Sequence, residues 1–374
     1  MSLTLIQEPE YFSFSGNPIL VEVDNAMGHI VGSDPILNYK IGVRILVHNG
    51  SDFVEIKELL HNVSAEGRAI FNLAPYLKNE SSSLPTIGNT NIFRTVSPGL
   101  VYYKFEYFSQ GGANQAGIEQ ETSTDKYALN GGTSIESYSE STLTDHIQAR
   151  KYLTHAPNRY LKKGEDEYLS FCLPEGDALV VTVSGKLANG DDFSLDWPST
   201  AFAVRKIYEL NVAKMIEIVT QGNDFEYVDI SLKDSYNDEK LEPKRYYGDP
   251  RSFNHKAVLL YLNSFGVWES VSLYGKIENS VATVSDSAIF GNRVETWNRE
   301  MFEKYTCTVD YKTPGELNHL KDLIRSKKVY LKGASEWIPV RFPDSNIKLF
   351  STADYTLPIK LKFETIYQNE YISN

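Results

Sequence analysis

Two apolar segments meet at a short polar turn between residues 256 and 276, and this pattern constrains the fold more than any other part of the chain. The first segment, Val258 to Leu262, is a continuous apolar run that predicts a strand buried on both faces. Asn263 to Gly266 predicts the tight turn of a β-hairpin. The hairpin contains no arrangement of nucleophile, base or metal ligands. In its second strand the residues expected on one face are Val267, Glu269, Val271 and Leu273, and those expected on the other are Trp268, Ser270, Ser272 and Tyr274.

The composition is that of a folded, β-rich protein. A chain of 374 residues is long enough for two or three domains. Its hydrophobic fraction of 41% and charged fraction of 23% are ordinary for globular proteins, which argues against disorder. There are 24 Tyr and 18 Phe but only 4 Met, and aromatic residues at this frequency favour strands and interfaces.

The net charge of −12 makes several kinds of partner unfavourable. Duplex nucleic acid is bound mainly through Lys and Arg, and the short basic clusters at 162–163 and 325–328 are typical of solvated edges. No apolar run reaches the roughly 18 residues of a membrane-spanning helix, and the N-terminus does not resemble a signal peptide. We therefore expect no duplex nucleic-acid binding, no membrane insertion, and synthesis and folding in the cytoplasm.

The two cysteines are predicted to be reduced and inert. Cys172 and Cys307 are 135 residues apart, and neither belongs to a Cys-x-x-Cys pair or lies beside a patterned histidine. Both occupy apparent strand positions, and free cysteine is among the most buried residue types.

The spacing of the predicted strands indicates a mainly β fold of tandem β-sandwich-like modules with one prominent helix. The predicted segments are an N-terminal β-sandwich-like module at 1–108, a loop excursion and connector at 109–167, a second β module at 168–250 and a C-terminal β-rich module at 251–374.

Within these modules, several elements are predicted individually. The second module is expected to contain strands at 177–187, 202–213 and 226–232, followed by a polar connector at 239–250. The prominent helix is expected at 314–327, because a capping-box pattern with Pro at the first helical position precedes apolar residues at helical spacing.

The segment from Ser109 to Gly132 is rich in glycine and poor in apolar residues, which predicts a loop. Two interpretations remain open, a contact loop for a partner and a mobile excursion. On the first, the loop becomes ordered against a neighbouring subunit. The candidate assembly residues in it are Gln110, Asn114, Gln115 and Tyr127.

No motif predicts catalysis, a cofactor or a metal. The seven histidines lack metal-ligand spacing, no Gly-x-Ser-x-Gly motif occurs, and the Gly-Gly pairs are not followed by Lys-Ser/Thr. The acidic segment 234–239 resembles part of a calcium loop but lacks the required glycine and terminal glutamate, so a solvated turn is favoured. Carboxylate pairs of the glycosidase type cannot be recognised without the fold.

Four large aromatic residues have two interpretations. They could line a sugar-binding cleft, or they could fill cores and module junctions, which is the commoner role of large rings. These residues are Trp268, Tyr274, Trp297 and Trp337.

Three stretches carry a resemblance to a known group of proteins. Phe14–Val23 contains Ser-Gly-Asn-Pro-Ile, Leu259–Trp268 is similar to a Leu-Asn-x-Gly-Gly-Trp hairpin with Val267 at the second glycine, and Tyr305–Leu331 combines a strand, a helix and Val-Tyr-Leu. The final Phe363–Glu370 is also similar. In these stretches the chain resembles proteins encoded in the tail modules of tailed bacteriophages and prophages of gut-type Gram-negative bacteria.

The resemblance implies a non-enzymatic structural protein of the virion tail, hub or baseplate. Its implied partners are other virion tail proteins, and a ring-forming homo-oligomer is expected. The alternative hypothesis is a carbohydrate-binding β-sandwich protein, and a glycoside hydrolase is a weaker third.

Overall fold

The computed structural model describes residues 3–25, 30–31, 34–35, 39–64, 67–78, 84–85, 91–96, 100–110, 117–132, 142–173, 177–198, 200–202, 206–234, 236, 238–251, 256–290, 293–309, 314–343 and 359–366. Strands dominate these residues, and the expected mainly β fold is confirmed. None of the helices in these ranges is long and apolar enough to cross a membrane.

The first module is a sandwich of two sheets. The elements in this part of the chain are β1 (Thr4–Gln7), β2 (Phe12–Phe14), β3 (Leu20–Asp24), β4 (Ile30–Val31), β5 (Asp34–Pro35), β6 (Lys40–His48), β7 (Phe53–Asn62), β8 (Arg68–Asn72), a 3₁₀ turn (Ala74–Tyr76), β9 (Phe93–Val96), β10 (Leu100–Gln110), β11 (Gly117–Thr122) and β12 (Lys126–Leu129), of which β9 pairs with a strand of the second module. One sheet has the order β1-β3-β8, and the other has the order β2-β12-β10-β6-β7 with β11 paired to β10. Alternate residues of both sheets share one buried core, as the two-residue period of strands requires.

The second module is also a sandwich. Its elements are α1 (Leu143–Gln148), β13 (Arg159–Leu161), β14 (Tyr168–Cys172), β15 (Asp177–Leu187), β16 (Asp192–Asp196), β17 (Thr200–Phe202), β18 (Ile207–Asn211), α2 (Val212–Thr220), β19 (Phe225–Lys233) and β20 (Lys244–Gly248). The larger sheet has the order β13-β20-β19-β15-β16 with β17 on β15, and the smaller has the order β14-β18-β9.

The C-terminal module is a closed antiparallel barrel. Its elements are β21 (Lys256–Leu262), β22 (Trp268–Phe290), β23 (Arg293–Val309), α3 (Pro314–Arg325), β24 (Val329–Lys332), β25 (Trp337–Arg341) and β26 (Ile359–Thr365). The strand order is β21-β22-β23-β26-β25-β24, and β24 pairs back with β21. Leu320 and Leu323 of α3 pack in the barrel core.

The predicted hairpin at 256–276 is confirmed. β21 pairs with β22 so that Leu259 faces Val271 and Leu260 faces Ser270. Val271 lies in the barrel core, whereas Leu260 belongs to a separate cluster with Trp268 on the opposite face. Both faces of β21 are buried, as its continuous apolar run predicts.

The predicted boundary at residue 108 is corrected by the sheet pairing. β12 lies between β2 and β10 in the first sandwich, so this sheet extends to residue 129. β9 pairs with β18 and therefore belongs to the second sandwich. The predicted connector at 239–250 also contains a strand, β20, which pairs with β19. Short polar strands of this kind are formed by their neighbours in the sheet, and their own sequence shows no alternation.

The prominent helix is confirmed at Pro314–Arg325, two residues shorter than predicted. A second helix, α2, replaces the end of the strand predicted at 202–213. Asn211 caps it by accepting a 3.1 Å hydrogen bond from the backbone N–H of Lys214. Val212, Met215 and Ile216 follow at helical spacing and are buried, so a capping residue and a period were present in the sequence.

Candidate assembly site

A two-stranded arm extends from the barrel. β21 reaches along β22 only to Tyr274, and β26 reaches along β23 only to Lys304. β22 and β23 nevertheless remain paired as far as their connecting turn. We call residues 281–290 and 293–303 the arm, because within the described strands these residues pair only with each other.

The arm offers two strand edges for further pairing. At about 3.4 Å per residue, it is roughly 30 Å long. A register shift between Asp286 and Ser287 marks a bulge, which increases local twist. Val281, at the base of the arm, is 59% exposed. Backbone groups along such an edge are a template for a strand of another chain.

The base of the arm is fixed to the barrel. The ring of Tyr305 stacks on Phe363 of β26, with centroids 5.1 Å apart and planes 11° apart. The backbone N–H of Glu303 donates a 3.1 Å hydrogen bond to Oγ1 of Thr365. Cys307 is buried in the barrel core. The arm is therefore anchored where it leaves the barrel.

The sequence pattern predicts β22 only as far as about Lys276. The remaining signal is Gly291-Asn292, a dipeptide typical of two-residue hairpin turns, although these two residues lie outside the described ranges. Strands that pair only with one another need no continuous apolar face, so the sequence on either side of this dipeptide lacks strict alternation.

The four candidate assembly residues do not form one loop. Gln110 is the last residue of β10 and pairs with Lys40 and Gly117. Asn114 and Gln115 lie outside the described residues. Tyr127 lies in β12 and is 1% exposed, so its assignment to a partner-binding loop is wrong.

Tyr127 is buried in the cluster that joins the first module to Cys172 of the second module and to Phe265 of the barrel hairpin turn. Its ring stacks between Phe12 and Tyr102, each with a centroid 5.1 Å away. β12 receives hydrogen-bonding partners from strands on both sides, although it has only four residues. A strand this short shows too little alternation to be recognised within a glycine-rich segment.

The two glycines that follow β12 pack against the hairpin turn of the barrel. The N–H of Gly132 donates a 2.8 Å hydrogen bond to the carbonyl oxygen of Ser264. A Cβ atom on Gly131 would lie 2.2 Å from that same oxygen. Gly266 has a φ of +74°, and a Cβ atom there would lie 1.8 Å from the carbonyl oxygen of Asn130. This part of the predicted loop therefore joins the first module to the barrel within one chain.

A buried polar junction joins the second module to the barrel. Arg159 forms an ion pair with Glu167 and donates a 3.1 Å hydrogen bond to the carbonyl oxygen of Ser270. Tyr246 donates to Glu167 at 3.0 Å, and Oγ of Ser270 donates to the same carboxylate at 3.1 Å. Lys332 of β24 forms an ion pair with Asp166. Removal of one member of such a buried network is costly because its charged partner stays buried.

Glu269 is the central acidic group on the barrel side of this junction. It accepts hydrogen bonds from Thr154 and, at 3.0 Å, from Nδ2 of Asn263, and Nε2 of His319 lies 3.2 Å away. Burial alone would raise the pKa of Glu269, but interactions with His319, Arg159 and Thr154 outweigh burial and hold its pKa well below the usual range. This carboxylate is therefore a fixed acceptor that joins the two modules.

Two further buried groups near the junction have shifted pKa values. Burial raises the pKa of Glu165 to about 7, and within the described residues its Oε1 has no hydrogen-bond partner. Burial lowers the pKa of Lys244 to about 8. The ammonium of Lys244 donates to the carbonyl oxygens of Ala156 and Pro157, which fixes the segment before β13.

One Ser-His-Asp grouping occurs at the junction, but its connectivity differs from that of a catalytic triad. Nε2 of His155 lies 2.8 Å from Oγ of Ser264. Asp322 accepts a 3.0 Å hydrogen bond from the N–H of Ser264 and lies 3.3 Å from its Oγ. In a triad the carboxylate orients the histidine, whereas here both partners bond the serine. The arrangement fixes the turn.

The described residues contain no group of three or more His, Cys, Asp or Glu placed to hold a metal ion. In the calcium-like segment, Asp234 accepts 2.9 Å hydrogen bonds from the N–H groups of Tyr236 and Asp238. The ammonium of Lys240 lies 2.9 Å from the same carboxylate. The carboxylate of Asp234 is thus engaged within the turn.

Two of the four large aromatic residues have the buried positions that the core interpretation predicts, and Tyr274 is half-buried. Trp268 and Trp337 are buried together with Leu260 and Tyr168, and Nε1 of Trp337 donates a 2.7 Å hydrogen bond to the carbonyl oxygen of Pro85. Neither ring is available to a sugar. The side chain of Trp297 lies outside the described residues.

Comparison with known proteins gives no family for the chain. No family model matches it, and no curated protein matches its sequence. The arm and the junctions that support it are therefore interpreted from their geometry.

Proposed function

We propose that this chain is a non-enzymatic structural subunit of a phage tail, hub or baseplate, which assembles into a ring and bridges neighbouring virion proteins. The observation that carries the proposal is the arm, a two-stranded extension beyond a closed barrel whose two outer edges pair with no other strand among the described residues. Closed barrels remove exposed edges, so an arm that restores two of them favours pairing with another chain.

The support of the arm also fits an assembly role. The polar junction and the Gly131–Ser264 contact join both sandwiches to the barrel within one chain. A subunit that bridges neighbours must transmit force between its contact surfaces without coming apart. Junctions that are buried and held by several hydrogen bonds and ion pairs keep the modules together under such a force.

The stretches that resemble phage tail proteins fall on the described framework. Phe14–Val23 runs from the end of β2 into β3, and Leu259–Trp268 contains the turn that packs against Gly131. Tyr305–Leu331 covers the base of the arm, α3 and most of β24. Two of the three stretches therefore lie at the arm or its supporting turn, which supports the proposal.

The direct test is a variant without the arm. Residues 282–302 are replaced by Asn-Gly, so that the paired residues Val281 and Glu303 are joined by a two-residue hairpin turn. Every pair between β23 and β26 is kept. We expect the thermal stability of the wild type to be retained, and formation of larger species in sedimentation velocity to be lost.

The control is Tyr236→Ala, a change at a tyrosine that is 85% exposed and outside the arm. It should assemble as the wild type does. Mass spectrometry of purified virus particles from the source strain should detect the wild-type chain. Absence from particles, or normal assembly of the arm-deleted variant, would contradict the proposal.

A further inference from the structure

A large open cleft lies at the edge of the second sandwich, away from the arm. Its walls include β13 and β20, which run in parallel with Tyr160 beside Tyr247 and Leu161 beside Gly248. The cleft has a volume of about 840 Å³. This is in the upper part of the range of about 300–1,000 Å³ that is typical of ligand sites.

Two exposed tyrosine rings form a platform in this cleft. Tyr160 is 63% exposed and Tyr247 is 37% exposed. Their ring centroids are 5.6 Å apart, with planes at 42°. Tyrosines in the core clusters are buried, so these two rings present apolar faces to solvent without stabilising a core. Because adjacent strands hold both rings, the platform exists before a ligand binds.

The charges around the platform are balanced. Lys162, Lys163 and Arg251 face Asp224, Glu226 and Asp249 in the lining. The guanidinium of Arg251 donates two hydrogen bonds to the carboxylate of Asp249, at 2.9 and 3.0 Å, so the charges of this pair cancel each other. The remaining charged residues of the lining are Lys162, Lys163, Asp224 and Glu226, and Glu226 also lies 3.9 Å from the ammonium of Lys186. A phosphate needs several converging cations, whereas this lining has as many carboxylates as cations.

Two backbone segments of the cleft lining lie in close contact at Gly248. A Cβ atom on Gly248 would lie 1.8 Å from the carbonyl oxygen of Phe225, which lies on the neighbouring strand β19. The two tyrosines and Gly248 are therefore held by paired strands, whereas Lys163 and Asp224 line the cleft from the segments next to those strands.

We propose that this cleft binds a neutral oligosaccharide. The apolar faces of pyranose rings stack on Tyr160 and Tyr247, and sugar hydroxyls both donate to carboxylates such as Asp224 and accept from Lys163. A lining with exposed rings and equal numbers of cationic and anionic side chains suits such a sugar better than it suits a charged or wholly apolar ligand. The site is separate from the arm, and its occupancy does not depend on the assembly proposal.

Isothermal titration calorimetry of the full chain with maltohexaose, cellohexaose, mannohexaose and chitohexaose tests the proposal. At least one of these probes should bind. Tyr160→Ala and Tyr247→Ala should each weaken that binding by at least about tenfold, as for an aromatic residue central to a binding site. Tyr160→Phe should retain binding, because the ring face and not the hydroxyl makes the contact.

The matched control is Tyr236→Ala, which removes an exposed tyrosine outside the cleft and should leave binding unchanged. Thermal denaturation of each variant verifies that it is folded, and the high exposure of Tyr160 makes its replacement safe for the fold. Three results would overturn the proposal: no binding of any probe by the wild type, equal binding by folded Tyr160→Ala, or tighter binding of inorganic phosphate than of every sugar.

Discussion

The backbone N–H of Gly132 donates a 2.8 Å hydrogen bond to the carbonyl oxygen of Ser264, a residue 132 positions further along the chain. Gly131 lies against the same carbonyl, with no room for a Cβ atom. Phe265, in the same turn, is buried in a cluster with Phe14 and Leu129 of the first module. The barrel hairpin is therefore seated directly on the first sandwich, backbone against backbone.

Gly131→Ala should destabilise the protein severely. The new Cβ atom would lie 2.2 Å from the Ser264 oxygen and 2.7 Å from the Phe265 carbonyl carbon, and neither backbone atom moves easily. We expect a loss of about 3 kcal/mol or more in the free energy of unfolding, at the upper end for overpacked sites. Urea denaturation measures this loss. The control is Gly164→Ala, at a φ of +75° in open space, which should cost only the roughly 1–2 kcal/mol of left-handed backbone strain. Equal losses in the two variants would show that the contact is not tight.

Leu260→Ala should also destabilise the protein, through a cavity. Leu260 is fully buried in a cluster with Tyr168, Trp268 and Trp337, which lies outside the barrel core. Replacement of a buried leucine by alanine costs about 2–5 kcal/mol. Leu195→Ala, at a residue that is 40% exposed, should cost much less. Thermal denaturation compares the two variants, and an unchanged midpoint for Leu260→Ala would place this residue outside a packed core.

The elements that the sequence predicts correctly are those whose pattern is fixed by a core. β21 and β22 have an apolar run and an alternating run, and α3 has a cap and a helical period. β12 and β20 cannot be recognised from the sequence, because such short strands form through hydrogen bonds to neighbours that are distant in sequence. The closure of the third module into a barrel depends on the pairing of β24 with β21, which no local pattern specifies.

The candidate site was only partly predictable. Gly131 and Gly132 belong to the segment whose composition predicts a loop, because glycine is equally favoured in a loop and in a close backbone contact. Tyr160 and Tyr247 lie 87 residues apart and become neighbours only through the parallel pairing of β13 and β20. The partners of Glu269 likewise come from separate segments, so the junction has no signature in sequence.

Both cysteines should be unreactive in the native protein. Cys172 and Cys307 are free and buried in different clusters, so their predicted state as free thiols agrees with the structure. Burial raises the pKa of Cys172 to about 12 and that of Cys307 to about 11, which suppresses the reactive thiolate. Titration with a thiol-reactive chromophore should detect no rapidly reacting thiol in the native chain and two after denaturation in urea. Rapid native labelling of either residue would mean that its module opens readily.

Glu165→Gln should remove part of the pH dependence of stability between pH 5 and 8. Burial raises the pKa of Glu165 from 4.5 to about 7, against the opposing effects of a hydrogen bond between the backbone of Lys162 and the carboxylate and of the charges of Arg159 and Lys256. A carboxyl whose folded-state pKa is raised stabilises the fold fully below its unfolded pKa, and this contribution is lost as the pH rises through about 7. The wild type should therefore lose stability from this group as the pH increases from 5 to 8, by up to about 3 kcal/mol.

The glutamine variant lacks the ionisation and should not show that loss. Burial also lowers the pKa of His146, so the informative quantity is the difference in stability between wild type and variant at each pH. Lys244, with a pKa lowered to about 8, contributes mainly above this window.

The control is Glu217→Gln, at an exposed carboxyl on α2, which should follow the wild-type curve. Urea denaturation at pH 5, 6, 7 and 8 measures all three proteins. If the difference in unfolding free energy between Glu165→Gln and the wild type stays constant across the series, the pKa of Glu165 is not raised in the folded protein and the prediction is wrong.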